Sequence, residues 1–138
     1  MRRIPRKVEV EDDSGHVTRY VRHDNGEGYA SPRASVHVDA VVEPGAYVEE
    51  GAHVAARARV GRYSWIDVDA VVGTGASIGA GVHVGRRGHV GAGARIGAHA
   101  RLGHDVHVAP GAVVEPDEIV PSGTEVLPAA RRTADAAA

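Results

Sequence analysis

An aliphatic residue recurs at every sixth position from Val36 to Val126, and no single residue is inserted in that span. The series runs Val36, Val42, Val48, Val54, Val60, Ile66, Val72, Ile78, Val84, Val90, Ile96, Leu102, Val108, Val114, Val120 and Val126. Four residues after each of the first fifteen comes a Gly, Ala, Ser, Thr or Val, with Glu118 the lone exception. A strand alternates its faces every two residues and a helix repeats near 3.6, so a period of six fits neither one long strand nor a helix.

It fits a solenoid. Each hexad supplies one short strand and one turn, and three hexads make a triangular coil whose backbone pairs with the coils above and below. Residues eighteen apart then stack in columns about 4.8 Å from one another. The aliphatic side chain points inward and the small residue fits the corner. Seven hexads carry Gly at the fourth position, as in Gly45, Gly75 and Gly111, and Asp39, Asp69, Asp105 and Asp117 occupy the same place in four others. Both types tolerate turns with positive φ.

The runs Val72-Gly-Thr-Gly-Ala-Ser, Ile78-Gly-Ala-Gly-Val-His and Val90-Gly-Ala-Gly-Ala-Arg resemble the hexapeptide repeat of bacterial acyltransferases and gamma-class carbonic anhydrases. Gly111-Ala-Val-Val followed by Val120-Pro-Ser-Gly-Thr is similar to the segment that often closes such solenoids. The resemblance covers about two thirds of the chain. It implies an all-β, left-handed parallel β-helix, against the usual right-handed crossover rule, and a homo-oligomer, a trimer. Periodicity itself gives about five three-hexad coils.

The 138 residues read as one domain with a thin core, because Phe is absent and Val and Ala dominate the 43% hydrophobic content. A formal charge of −2 gives no indication of nucleic acid or anionic membrane as partner. No apolar run nears the roughly 20 residues that cross a bilayer. The basic start, Met1 to Lys7, is followed by no apolar signal core. Without Cys there is no disulfide or thiol chemistry, and the cytoplasm is the default location.

The expected organisation is a hairpin cap and joint over residues 1–29, a β-helix over 30–127 and a flexible tail over 128–138. Lys7-Val-Glu-Val and Val17-Thr-Arg-Tyr-Val flank the turn-rich Asp12-Asp-Ser-Gly15, which reads as a hairpin closing the first coil. Ala30 to Ser35 forms an extra hexad with Ala30 and Ala34 inward. Glu118 at an inward corner marks a looser last coil.

The residue before each inward aliphatic faces outward, giving three columns. One reads Tyr29, Tyr47, Trp65, His83, Arg101, Ile119. Tyr29, Tyr47, Trp65 and Ile119 suggest a subunit or protein-partner interface, with cover by the hairpin as the plainer alternative. A second reads Ser35, His53, Val71, His89, His107, Glu125, and puts His89 beside His107. A third reads Val41, Arg59, Ser77, Arg95, Val113. At the corners, Arg87 falls between Asp69 and Asp105, Asp39 beside Arg57, and His99 beside Asp117, so ladders of opposite charge are expected.

An acyltransferase of the resembled family uses a His as general base beside a loop that projects from the solenoid, with the acyl-CoA donor between subunits. On that reading the outward His83, His89 and His107 are the candidate bases. The carbonic anhydrase branch uses three histidines on zinc, two of them five residues apart. Leu102-Gly-His104 is similar to the first ligand, His99 lies five before it, and His89 and His107 complete the metal candidates. Neither a projecting loop within 36–126 nor a long helical domain after it is written in the chain. The expectation is therefore a non-catalytic, self-associating scaffold or binding module without cofactor. Acyl transfer from an acyl-CoA is the alternative, and a zinc enzyme a further one.

Overall fold

The computed structural model describes residues 7–11, 15 and 17–128. The Asp12-Asp-Ser segment of the expected turn, the basic start up to residue 6 and the tail from residue 129 lie outside them.

From Tyr29–Ala30 to Glu125–Val126 the chain makes one two-residue strand per hexad, seventeen in all, and no helix is present among the described residues. The strands stack in parallel on three faces. Face one holds Tyr29–Ala30, Tyr47–Val48, Trp65–Ile66, His83–Val84, Arg101–Leu102 and Ile119–Val120. Face two runs from Ser35–Val36 to Glu125–Val126, and face three from Val41–Val42 to Val113–Val114. Paired residues are eighteen apart throughout, Tyr47 with Trp65 and Val72 with Val90, for example. The architecture is a left-handed β-helix of about five turns.

Every inward aliphatic from Val42 to Val126 is buried, as are the small corner residues from Ala40 to Ala112. Ala30 and Ala34 pack against this core, so the extra hexad is a real first step. Ser64 is the polar member of the small series. Its hydroxyl donates to the Gly79 carbonyl (2.6 Å) and accepts the Val82 amide (3.0 Å), which removes the cost of burying it. Glu118 is half-buried, and its carboxylate accepts the Glu115 amide at 3.2 Å.

The fourth position of each hexad from Gly45 to Gly123 has positive φ without exception. Arg57, Tyr63, Arg87 and His99 share that backbone with the glycines and aspartates, although left-handed conformation costs an L-residue about 1–2 kcal/mol. A bond to the previous coil offsets part of this: the His99 amide donates to Ala80 at 2.8 Å and the Arg87 amide to Val68 at 3.0 Å. The rings of Tyr63 and His99 occupy the space a Cβ would take on Gly45 and Gly81. The expected ladders are accordingly only partly realised. Arg87 and Asp105 pair, but Asp39 takes His37 as its partner and His99 leans over Gly81 rather than pairing with Asp117.

The hairpin is formed by β1 (Lys7–Glu11) and β2 (Val17–Arg22), antiparallel from Lys7↔Val21 to Glu11↔Val17. Val21 and Arg22 of β2 then pair antiparallel with Ala30 and Tyr29, so the hairpin extends face one beyond the first coil. It also folds against that face. Tyr20, 7% exposed, sets its ring edge-on to Tyr47 at 4.7 Å and its hydroxyl against Glu49.

Candidate functional site

Each rung of a face carries two residues that flank the inward aliphatic, one before it and one after. On face one the positions after it read Ser31, Glu49, Asp67, Gly85, Gly103 and Pro121. Two acids thus give way to two glycines. Where the glycines leave no side chain beside His83 and Arg101, a cleft of about 470 Å³ opens, bounded by Asp67, His83, Arg86, Arg101, His104 and Ser122.

Two histidine–carboxylate pairs border this cleft. His83 Nε2 lies 3.0 Å from Asp67 Oδ2. Asp67 is buried, and its Oδ1 accepts the Val68 amide at 2.7 Å. The His83 ring stacks on Trp65, with centroids 4.3 Å apart and planes 12° from parallel. Packing and hydrogen bonding together fix the orientation of this imidazole.

The second pair sits on the corner between faces one and two. His104 Nδ1 is 2.9 Å from Asp105 Oδ2. Asp105 also receives a fork from Arg87, Nε to Oδ1 at 2.9 Å and Nη2 to Oδ2 at 3.0 Å. The Arg87 hydrogen bonds, then that of His104, hold the Asp105 carboxyl well below the usual carboxylate range. An ionised Asp105 makes Nδ1 the protonated nitrogen of His104 and leaves the lone pair on Nε2, which has no partner among the described residues. The His104 amide donates to Ser122 Oγ at 3.1 Å, which ties the corner to the next coil. The His104 side chain is 62% exposed against 30% for His83, so its free nitrogen is the more accessible.

Of the candidate bases, only His83 lines the cleft. His89 and His107 lie on face two, stacked at 5.7 Å with planes 8° apart; Glu125 is the next rung beyond His107, and among the described residues neither ring makes a hydrogen bond or ion pair with a carboxylate. The four metal candidates do not converge: His99 is on the corner between faces three and one, His104 on the next corner, His89 and His107 on face two. Among the described residues no three His, Cys, Asp or Glu side chains gather as a metal site. In the aromatic column Tyr29 stacks on Tyr47 at 5.6 Å, Tyr20 covers Tyr47, Trp65 remains 45% exposed, and Ile119 is open at the far end.

Columns of eighteen do not reveal these contacts. The residue after one rung's aliphatic meets the residue before the next coil's aliphatic, a separation of sixteen: Glu43 with Arg59, Glu49 with Trp65, Asp67 with His83. Reading that diagonal would have exposed the Asp67 pair, and the adjacent His-Asp dipeptide was the signal for His104.

No family model matches this sequence, and no curated protein does either. Solved structures do. A histidine-to-asparagine variant of perosamine N-acetyltransferase from Caulobacter crescentus, in complex with CoA and GDP-perosamine, is 27% identical over 72% of this chain and 50% of its own, with a TM-score of 0.68. The acetyltransferase domain of PglB from Neisseria gonorrhoeae FA1090, in complex with acetyl coenzyme A, is 24% identical over 71% of this chain and 53% of its own, with a TM-score of 0.40. The chain thus spans about half the length of these two transferases. The likeness to the first overturns the expectation of a non-catalytic scaffold. That expectation leaned on the lack of a projecting loop, yet a corner such as Gly103-His104-Asp105 presents an imidazole without one. No helix among the described residues is long and apolar enough to cross a membrane. In its fold the chain is a hexapeptide-repeat left-handed β-helix protein of the kind that bacterial acyltransferases share.

Proposed function

We propose that the chain forms the β-helix of an acyl-CoA-dependent acyltransferase in which His104 is the general base. The observation that carries this is the His104–Asp105–Arg87 arrangement at the rim of the face-one cleft, with Nε2 of the imidazole free. In the reaction the acceptor's N–H or O–H gives its proton to His104 Nε2 as the acceptor atom attacks the thioester carbonyl. The tetrahedral intermediate then collapses, the C–S bond breaks, and the proton passes to the departing thiolate. Asp105 keeps the imidazole in the required tautomer and stabilises it once charged, while Arg87 holds Asp105 in place.

Arg86 and Arg101 border the same cleft and have no side-chain hydrogen bond or ion pair among the described residues, which suits the phosphates of a CoA-type donor. The cleft is open on one side, and a second copy of the chain would complete it. A trimer with donor sites between subunits fits this shape, with the uncovered part of face one, around Arg101 and Ile119, as the contact surface. An amine acceptor, such as an amino sugar, suits the likeness to an N-acetyltransferase.

The test is calorimetric titration of the full chain with acetyl-CoA, together with thiol release in the presence of a panel of amino sugars. Saturable binding at one donor per chain is expected. His104→Asn should keep that binding and lose at least about 100-fold in turnover, the lower range for removing a general base. Absence of binding heat, or a His104→Asn variant as active as the parent, would refute the proposal.

A further inference from the structure

Above the cleft, between the hairpin and face one, lies a separate shallow pocket of about 300 Å³ lined by Val10, Tyr20, Tyr47, Glu49 and Trp65. Three of its five lining residues are aromatic and one, Glu49, carries a carboxylate. Tyr20 and Tyr47 stand nearly perpendicular, 75° apart, while Trp65 and Val10 leave 45% and 43% of their surface open. Nothing in the acyl-transfer reading uses this pocket.

Glu49 is unusual in what surrounds it. Its oxygens accept from the Tyr20 hydroxyl (2.8 and 3.1 Å) and from Trp65 Nε1 (2.8 Å), both neutral donors. It takes part in no ion pair among the described residues, and the neighbouring charge that bears on it is another acid, Asp67. Other glutamates that lie beside a guanidinium pair with it: Glu9 takes Arg19, Glu43 takes Arg59 and Glu50 takes Arg33. Here a half-buried anion has been given rings instead of a counter-charge. Burial accordingly pushes its carboxyl upward, with the two hydrogen bonds opposing the shift.

We propose that this pocket binds the head group of an organic ammonium ion, alkylated at nitrogen, with the rings of Tyr20, Tyr47 and Trp65 around the cation and Glu49 as its counter-charge. Ring faces carry negative electrostatic potential and attract a cation within about 6 Å. An alkylated ammonium sheds its weakly held water more readily than an inorganic cation does, and its methyl groups bury against the rings. A neutral ligand of the same shape would gain the apolar contact alone. Glu49 needs no rearrangement, because Tyr20 and Trp65 already fix it.

The chain has one tryptophan, Trp65, and it lines this pocket, so its fluorescence reports on occupancy there. A neutral analogue and the Glu49→Gln variant separate that signal from any change at His83, stacked on its other side. The full chain is titrated with choline chloride, with 3,3-dimethylbutan-1-ol as the neutral carbon analogue, and with sodium chloride as the ionic-strength control. Choline should produce a saturable change in Trp65 emission, and neither control should. Glu49→Gln keeps the tryptophan and should weaken choline binding by about tenfold or more; its fold is verified by an unchanged far-UV circular dichroism spectrum. A Tyr47→Leu variant, which keeps Glu49 and removes one wall, should weaken it too. A response to choline that does not saturate, or that the neutral analogue reproduces, overturns the proposal without reference to any variant. So does undiminished affinity in a folded Glu49→Gln. Acyl transfer is read separately by thiol release, so either result stands apart from the role of His104.

Discussion

Replacing Ile78 tests the inward assignment at a point far from the cleft. Ile78 is 1% exposed and is sandwiched on face three between Val60 and Ile96. Ile78→Ala removes three carbons, and at about 0.8 kcal/mol per buried methylene the transfer contribution alone is about 2.4 kcal/mol. To this is added the cavity left behind, and Ile→Ala substitutions in cores span about 2–5 kcal/mol according to how far the surroundings collapse. Collapse is difficult here. The rungs on both sides are pinned by backbone bonds, Gly61 to the Ile78 carbonyl at 2.8 Å and Gly79 to the Ile96 carbonyl at 2.9 Å, and the core is one side chain deep. The expected loss is therefore in the upper part of the range, about 4 kcal/mol. Ile78→Val, one methylene shorter, should cost about 1 kcal/mol. Ser77 precedes it on the same strand and faces outward between Arg59 and Arg95, so Ser77→Ala should fall within about 0.5 kcal/mol of the parent. Urea unfolding followed by far-UV circular dichroism measures all three, at one fixed protein concentration because an oligomer's stability depends on it. Equal losses for Ser77→Ala and Ile78→Ala, or a loss below about 1.5 kcal/mol for the latter, would show that the residues do not face as described.

Two smaller expectations concern the corners. Gly75 has φ +67° and open space where a Cβ would go, so Gly75→Ala should cost about 1 kcal/mol in urea unfolding from backbone strain alone, and a neutral result would contradict the turn geometry. Arg87→Gln removes the main cause that depresses the Asp105 carboxyl. A depressed acid contributes stability above its unfolded value, near 3.9, and loses it as the pH falls through the folded value. The variant's urea midpoint should thus lie below the parent's from about pH 5 to 7, the gap closing as the pH falls into the strongly acid range. A gap of constant size across that range would exclude the linkage.

The periodicity determines what it touches directly. One aliphatic every six residues places Val42, Val60 and Ile78 in a column and leaves Tyr47, Trp65 and His83 outside, and the structure shows both. Turn chemistry is legible at Gly45 or Asp69, but Arg57, Tyr63, Arg87 and His99 adopt the same backbone without any propensity for it. There the stacked coils override the local preference. The candidate site was less legible because it is made of diagonal and adjacent contacts, Asp67 to His83 and His104 to Asp105, which a comparison of residues eighteen apart passes over. The fold-back of Tyr20 onto Glu49 spans 29 residues and leaves no periodic trace. It depends on the path of the hairpin, which six-residue spacing does not govern.

The two-residue rungs carry a consequence for reach. On any one face, groups that act on a ligand stand at multiples of the strand separation, about 4.8 Å, so the solenoid works as a ruler with fixed graduations. From Trp65 to Ile119 face one offers four successive marks. Adding or deleting eighteen residues would slide one mark relative to another by a single graduation while leaving the chemistry at each unchanged. A lineage built on such a frame can lengthen its grasp without reinventing its grip.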